Sequence, residues 1–524
     1  MKMKKALSLI VGTTLVTTAL AGCGASKDDG KTSGSGGETP AVSKISVALG
    51  TGNLPYVTGS RDINNDKYVK KLEELSGTDL NLQLIPHENY SQNITLMFAS
   101  GELPELLQTK GINTQEVAPA IDAGNLQPLD ELIDKYGPNL KKYIPKESWD
   151  SARVSKDGKI YGIPQENPIL NTTVTYIRQD WLDKLGLKAP KTVEEYIEVL
   201  RAFRDNDPNG NGKKDEIPFS ARSKFSFGTA FFGAYDVHPK LWKLVDGQLT
   251  PNFIRPEMKD ALKLHRQLYE EKLLDNEFLV MTGKDWDNKI KGTGVVGMWA
   301  HDASYPDKWE NDVKASVPSA KVSVINSPVG PSGKPGGVDN INSTVSDYVW
   351  VIPKSAKNAE QIIKFLDWFY DPANKAKDDF LEFGLEGDNF TMDNGAVKYN
   401  YPKTAEETSA EFMHQSWLAF TGPKKHLTDE SFIKNRPGGD KILASLAIAK
   451  TEGIKDDGLG MPVMPTLQSR PELNYDGLWL EFASKVITGK ESVDKFDDFV
   501  NDWKKRGGDQ LIKEATEWYN KTQK

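Results

Sequence analysis

A chain of 524 residues with 38% hydrophobic content is ample for one large core or two. Its formal net charge of -8 comes without a notable basic stretch, which argues against nucleic acid or an anionic membrane surface as partner. The single cysteine excludes an intramolecular disulfide framework and any multi-cysteine metal site.

The chain opens on the basic Met1–Lys5 and continues into Ala6–Leu20, which carries no charge. A basic stretch followed by an apolar run of about 15 residues reads as a secretory signal. The run is shorter than the ~20 residues needed to cross a bilayer. Leu20-Ala21-Gly22-Cys23 resembles the lipobox of bacterial lipoproteins. The resemblance implies a signal peptide over 1–22, a cut after Gly22, and a diacylglycerol on Cys23 that anchors the chain to the outer face of the cell membrane. Without the three signal lysines, 63 basic residues face 74 acidic ones, a net charge of -11. Residues 23–44 are rich in Gly, Ser, Asp and Lys and read as a flexible tether. Gly24 to Thr32 approximates a phosphate-binding P-loop, but the spacing is one residue too long and no strand precedes it.

The body begins with an alternating run, Lys44–Leu49, which suits a strand. Asn64-Asn65-Asp66 offers caps for a helix ending near Ser76. Leu80–Ile85 alternates again, a helix follows until Gly101, and Leu106–Gln108 is a short third strand. This order is the signature of a parallel, helix-covered sheet. Further helical periodicity covers 193–204 and 256–272, with strand-like runs at 294–299 and 348–352. Beyond Ile352 the pattern is largely helical, at 359–370, 405–420, 440–451, 477–487, 493–505 and 510–519. No internal repeats are visible.

Residues 205–216, Asp-Asn-Asp-Pro-Asn-Gly-Asn-Gly-Lys-Lys-Asp-Glu, alternate oxygen-bearing with small or turn-forming residues. That pattern points several oxygens at one centre, as a hard cation such as Ca²⁺ requires. Two EF-hand-like registers fit. One starts at Asp205, with Gly210 at the turn and Glu216 last. The other starts at Asp207 and runs through Asn209, Asn211, Gly212 at the turn, the Lys213 carbonyl and Asp215.

Together these features resemble extracellular solute-binding proteins of ABC importers, in particular the large carbohydrate-binding lipoproteins of Gram-positive bacteria, themselves similar to alginate-oligosaccharide-binding proteins. The stretches that carry the likeness are Tyr176–Leu187 (YIRQDWLDKLGL), Pro190–Glu195 (PKTVEE), Phe383–Gly387 (FGLEG) and Asp502–Gly508 (DWKKRGG). The resemblance implies an α/β, two-lobed, type II-like periplasmic-binding-protein fold, with a central cleft, a hinge of crossing strands and a helix-rich C-terminal part. Residues 45–165 with about 297–350 are expected to form the N-terminal lobe, and 166–296 with about 351–524 the C-terminal lobe. It further implies an oligosaccharide ligand, ABC permease subunits as partners, and a monomer that is not an enzyme. The relatives' structural calcium loop matches the second register. The expected ligands are therefore Asp207, Asn209, Asn211, Lys213 and Asp215, with Glu216 also contributing.

Sugars present flat apolar faces and a rim of hydroxyls, so aromatic rings and polar side chains mark candidate contacts. The chain has 12 tryptophans. Trp181, Trp368, Trp503 and Trp518 sit at helical spacing and read as core or half-buried surface. Trp299 ends a strand and precedes His301, Asp302 and Ser304, where open α/β sheets bind ligands. The family also tends to place a stacking tryptophan there. Trp417, Trp479, Gln165, Glu166, Asn53, Asp302 and Glu386 complete the candidate set. The competing readings are a surface carbohydrate-active enzyme, a glycan-binding adhesin and a peptide receptor. No HExxH, G-x-S-x-G or spare cysteine supports the enzyme, and the six histidines show no ligand spacing.

Overall fold

The computed structural model describes residues 43–166, 173–336 and 345–522. Cys23, the signal and nearly all of the tether lie outside the described residues. Nine strands build two sheets: β1 Ser43–Gly50, β2 Thr78–Ile85, β3 Leu106–Thr109, β4 Gly162–Glu166, β5 Thr173–Arg178, β6 Ile217–Phe219, β7 Val296–Asp302, β8 Val322–Ile325 and β9 Val345–Val351. The first sheet has the order β2-β1-β3-β9-β4 and the second β8-β5-β7-β6. The helices used below are α1 Lys67–Ser76, α2 Tyr90–Ser100, α3 Val193–Asp205, α4 Glu257–Glu270, α5 Pro306–Lys314, α6 Ala359–Trp368, α7 Ala405–Phe412, α8 Gly439–Thr451, α9 Leu480–Ile487, α10 Phe496–Trp503 and α11 Asp509–Thr522.

The helix signals work locally as the sequence indicates. The Asp66 side chain accepts the Tyr68 N–H to cap α1, and Gly77 closes it in the left-handed region. Thr192 and Glu195 form a reciprocal capping box on α3, whose Tyr196, Leu200 and Phe203 recur at helical spacing on the buried face. The expected helix over 405–420 is α7 followed by a π-helical turn at Met413–Trp417.

Both sheets are covered on both faces, so alternate residues of one strand feed different cores. On β1, Ile45, Val47 and Leu49 enter one cluster, while Ala48 enters the opposite one. On β7, Met298 joins one cluster and Trp299 the other. The result is an α/β fold of two sheet-centred lobes.

The lobe boundaries differ from those expected. β7 pairs antiparallel with β5, Met298 opposite Ile177, and β8 pairs with the other edge of β5. Residues 296–325 therefore belong to the second sheet, and the chain returns to the first only at β9. Conversely, α6 and the 413–420 segment pack into the first sheet's core through Ile362, Leu366, Met413 and Phe420. Pairing partners more than a hundred residues apart decide this, and no local pattern carries it.

Strand direction fixes where a ligand fits. β1, β2 and β3 run parallel, β9 runs against β3, and β4 against β9, so β4 shares the direction of β1. In the second sheet β6 and β7 run parallel, with the end of β7 beside the start of β5. β4 leads into β5 through 167–172. The carboxyl ends of β1–β4 and of β6–β8 thus face one junction between the sheets. Gly162, on β4, allows β4 and β9 to pack there: an added Cβ would meet the Val349 Cγ1 at 2.3 Å. Contacts across the junction include the Tyr305–Phe412 ring pair at 4.7 Å and the Asn113 amide donating to the Met461 carbonyl at 3.4 Å.

Candidate functional site: a cleft between strand ends

Hydrogen bonds organise the edge of the first sheet. The Gly50 N–H donates to the Gln108 side-chain oxygen at 3.0 Å, and the Tyr90 hydroxyl donates to the Gln108 carbonyl at 2.6 Å. The half-buried Trp417 donates its indole N–H to the Gly50 carbonyl at 2.8 Å. Buried Gln165 donates to the Ala419 carbonyl at 2.8 Å, and Thr421 donates to the Pro164 carbonyl at 3.1 Å. The Glu166 carboxylate accepts from Tyr370 at 2.9 Å. Burial raises its pKa above the ordinary carboxylate value, and the Tyr370 hydrogen bond opposes that rise. Asn53 is exposed two residues past Thr51 with a positive φ of 54°.

The structure thus gathers Trp417, Gln165 and Glu166 on one edge, with Asn53 beside them. Asp302, at the end of β7, belongs to the opposite edge. Its carboxylate accepts the Ser304 N–H at 2.7 Å, and its carbonyl accepts from the Tyr176 hydroxyl. Glu386 is exposed on a turn held over α1 by the Lys67–Asp388 ion pair at 2.8 Å and the Tyr68–Asn389 hydrogen bond.

Two expected contacts are corrected. Trp299 is fully buried, stacked on Tyr176 with ring centroids 5.8 Å apart and packed beside Trp309. β7 is an inner strand, covered by helices on both faces, so a ring near its end turns into the core. Trp479 is also fully buried, among Phe225, Phe232 and Phe253.

The second edge holds groups that the sequence reading passed over. Arg222 follows β6, its guanidinium carbon 4.5 Å from the Trp286 ring centre and 5.0 Å from that of Phe227. Asp287 approaches it at 3.4 Å, and the Arg222 Nε has no hydrogen-bond partner. Burial lowers the Arg222 pKa, an effect opposed by Asp287. In the same loop Lys224, Phe225 and Phe227 have φ of 57°, 58° and 56°, a costly conformation for three large side chains. His301 stacks on Phe227 at 4.6 Å, and burial, with the fields of Arg222, Lys291 and Lys308, pushes its pKa down to about 3.

The oxygen-rich loop after α3 is a separate structure. Asp205 pairs with Arg204 at 2.7 Å, which ties it outside the turn. The Asp207 carboxylate instead accepts three backbone N–H groups, from Gly210, Asn211 and Gly212, at 3.0–3.1 Å. The Asn209 and Asn211 amides both donate to Asp215. Glu216 has an orphaned buried Oε1, and burial together with the Asp207 and Asp215 carboxylates raises its pKa. Among the described residues no three acidic or imidazole groups stand at metal-binding distances. The donor set nevertheless fits a hard cation: three like-charged carboxylates, one with an unpartnered oxygen, share a turn whose backbone is already curled around Asp207.

Two helix-covered α/β lobes whose strand ends face a shared cleft define a two-lobed binding protein of the periplasmic-binding type. The chain belongs to the bacterial extracellular solute-binding protein family, whose model matches residues 65–376. It is 28% identical over 465 residues to the polygalacturonan/rhamnogalacturonan-binding protein YtcQ of Bacillus subtilis, covering 86% of this chain and 88% of that one. It is 30% identical over 407 residues to FusA of Streptococcus pneumoniae, a fructooligosaccharide ABC transporter substrate-binding protein, covering 73% and 72%. Among solved structures, the alginate-binding protein AlgQ2 without calcium ion superposes with a TM-score of 0.71 at 20% identity, over 92% of this chain and 99% of that one. An EF-hand mutant of FusA superposes at 0.70 with 22% identity, over the same shares. Among the described residues no helix is long and apolar enough to cross a membrane.

Proposed function

We propose that this protein captures an oligosaccharide in the cleft between its two sheets and delivers it to the permease of an ABC importer. The observation that carries the reading is the convergence of seven strand carboxyl ends on one junction between the two sheets. A ligand that touches both edges stabilises the closed state by its differential affinity for that state, so closure reports occupancy to the transporter. Trp417, Gln165, Glu166 and Asn53 are assigned to the ligand from the first edge, and Asp302 from the second. Glu386 is kept as a peripheral contact. YtcQ and FusA, each named for a carbohydrate ligand, support this reading.

The chain acts as a monomer, held on the outer membrane face by a diacylglycerol on Cys23. Calcium binds the loop in the register starting at Asp207, with Asn209, Asn211, the Lys213 carbonyl, Asp215 and Glu216. Its role is structural, tying the end of α3 to β6. Calorimetry of the detergent-solubilised chain against a panel of neutral and acidic oligosaccharides tests the function. Stoichiometric binding without turnover is expected. Cleavage of the sugar would establish an enzyme instead, and silence across the panel would remove the proposal.

A further inference from the structure

Gln108 follows Leu106 on β3 at the strand period, so the two side chains share one face of the first sheet. Leu106 belongs to the core on that face, together with Trp350, which stands opposite Gln108 on β9. The half-buried Trp417 packs against the same core. Gln108 therefore lies where the apolar ladder gives way to the strand ends at the cleft, and it is only 6% exposed.

Both parts of this residue are fixed. The Tyr90 hydroxyl donates to its backbone carbonyl at 2.6 Å, and the Gly50 N–H donates to its side-chain oxygen at 3.0 Å. Glycine is needed for that approach, since a Cβ at position 50 would meet the Tyr90 ring at 3.0 Å. A backbone N–H can only donate, so it selects the amide oxygen and turns Nε2 the other way. That nitrogen makes no hydrogen bond among the described residues, and it reaches solvent, unlike the sealed indole nitrogens of Trp299 and Trp479. Its neighbours have spent their donors. The Trp417 indole bonds the Gly50 carbonyl at 2.8 Å, and the Gln165 amide bonds the Ala419 carbonyl at 2.8 Å. Gly50 thus holds both Gln108 and Trp417, which sets a free amide donor beside the indole.

We propose that Gln108 is a further ligand-binding residue, a role that rests on the proposed capture of an oligosaccharide in this cleft. Its Nε2 donates to an oxygen of the sugar unit whose C–H face covers the Trp417 ring. Because the amide is already held, it loses little rotamer freedom when the sugar arrives. A held donor also selects. An analogue without the accepting oxygen leaves the amide N–H groups against an apolar surface, with no partner for the bond they surrender to water.

The test is calorimetry on the detergent-solubilised full-length protein with trimers of galactose, mannose, fructose and galacturonate. The trimer that binds, and its singly deoxygenated forms, are then titrated into the parent and into Gln108→Met, which keeps the chain length without the amide. In the parent, one deoxygenated form should bind about tenfold weaker than the intact trimer. Gln108→Met should bind the intact trimer about tenfold weaker and show no further loss with that same form, since the two changes remove one bond. A second measurement covers misfolding of the variant: in the parent labelled at glutamine, the Gln108 side-chain amide resonance should shift when the trimer binds. Intact-trimer affinity unchanged in Gln108→Met, or an equal loss for every analogue, would overturn this role and leave capture standing. An amide resonance unmoved by a bound trimer would do the same. Binding of no trimer by the parent would remove the capture reading, and this role with it.

Discussion

On the first sheet the strand ends are tied down by neutral hydrogen bonds, Gln108 to Gly50, Trp417 to Gly50 and Gln165 to Ala419. On the second sheet the corresponding edge is an aromatic nest around Arg222, with three large residues in left-handed backbone and tryptophans turned inward. The first edge is tied down by these bonds before any ligand arrives. The second stores strain and an incompletely paired cation. The difference indicates that the first sheet supplies a fixed platform and the second supplies the group that gains most from an occupant.

The largest expected effect separates the two tryptophans. Trp299→Ala should destabilise the protein by about 3–5 kcal/mol, because it empties a fully buried site packed against Tyr176 and Trp309. Trp417→Ala should cost less stability and weaken sugar binding, and thermal melts paired with calorimetry distinguish the two. If Trp299→Ala left the melt intact and removed binding, the contrast between the edges would collapse.

The calcium loop gives an intermediate effect. Chelation should lower the melting temperature by several degrees and leave sugar affinity nearly unchanged, since ligand binding to the native state alone raises apparent stability. A melt unmoved by EDTA would remove the metal.

A shared acid sensitivity compares the two cores. His265 in the second and His414 in the first are buried, and burial pushes each pKa down to about 4. The folded chain keeps both imidazoles neutral while the unfolded chain takes up protons below about 6.5, so stability is complete above that pH and falls as it drops toward 4. Unfolding free energies measured across this window should decline, and His265→Gln and His414→Gln should each flatten part of the slope. A flat profile in the parent protein would contradict both assignments.

The sequence made the local devices legible: the Asp66 cap, the Thr192–Glu195 box and the β1–β2 alternation all rest on neighbouring residues. The class of fold followed from their order. What it hid was long-range pairing. Trp299 reads as a strand-end ring, but the partner that buries it, Tyr176, lies on another strand of the same sheet. The same blindness misplaced 297–325 in the first lobe. Arg222 was missed because it is an unremarkable arginine until Trp286, Phe227 and Asp287 gather around it.

The bond from the Trp417 indole to the Gly50 carbonyl has an optical consequence. Six of the tryptophans, 181, 286, 299, 350, 479 and 503, are sealed in cores, where their emission responds little to events at the surface. Trp417 is half-buried at the end of β1, hydrogen-bonded to the strand whose neighbours line the cleft. A sugar arriving there changes the solvent around the Trp417 indole while these six stay shielded, so the protein carries its own fluorescent gauge of occupancy.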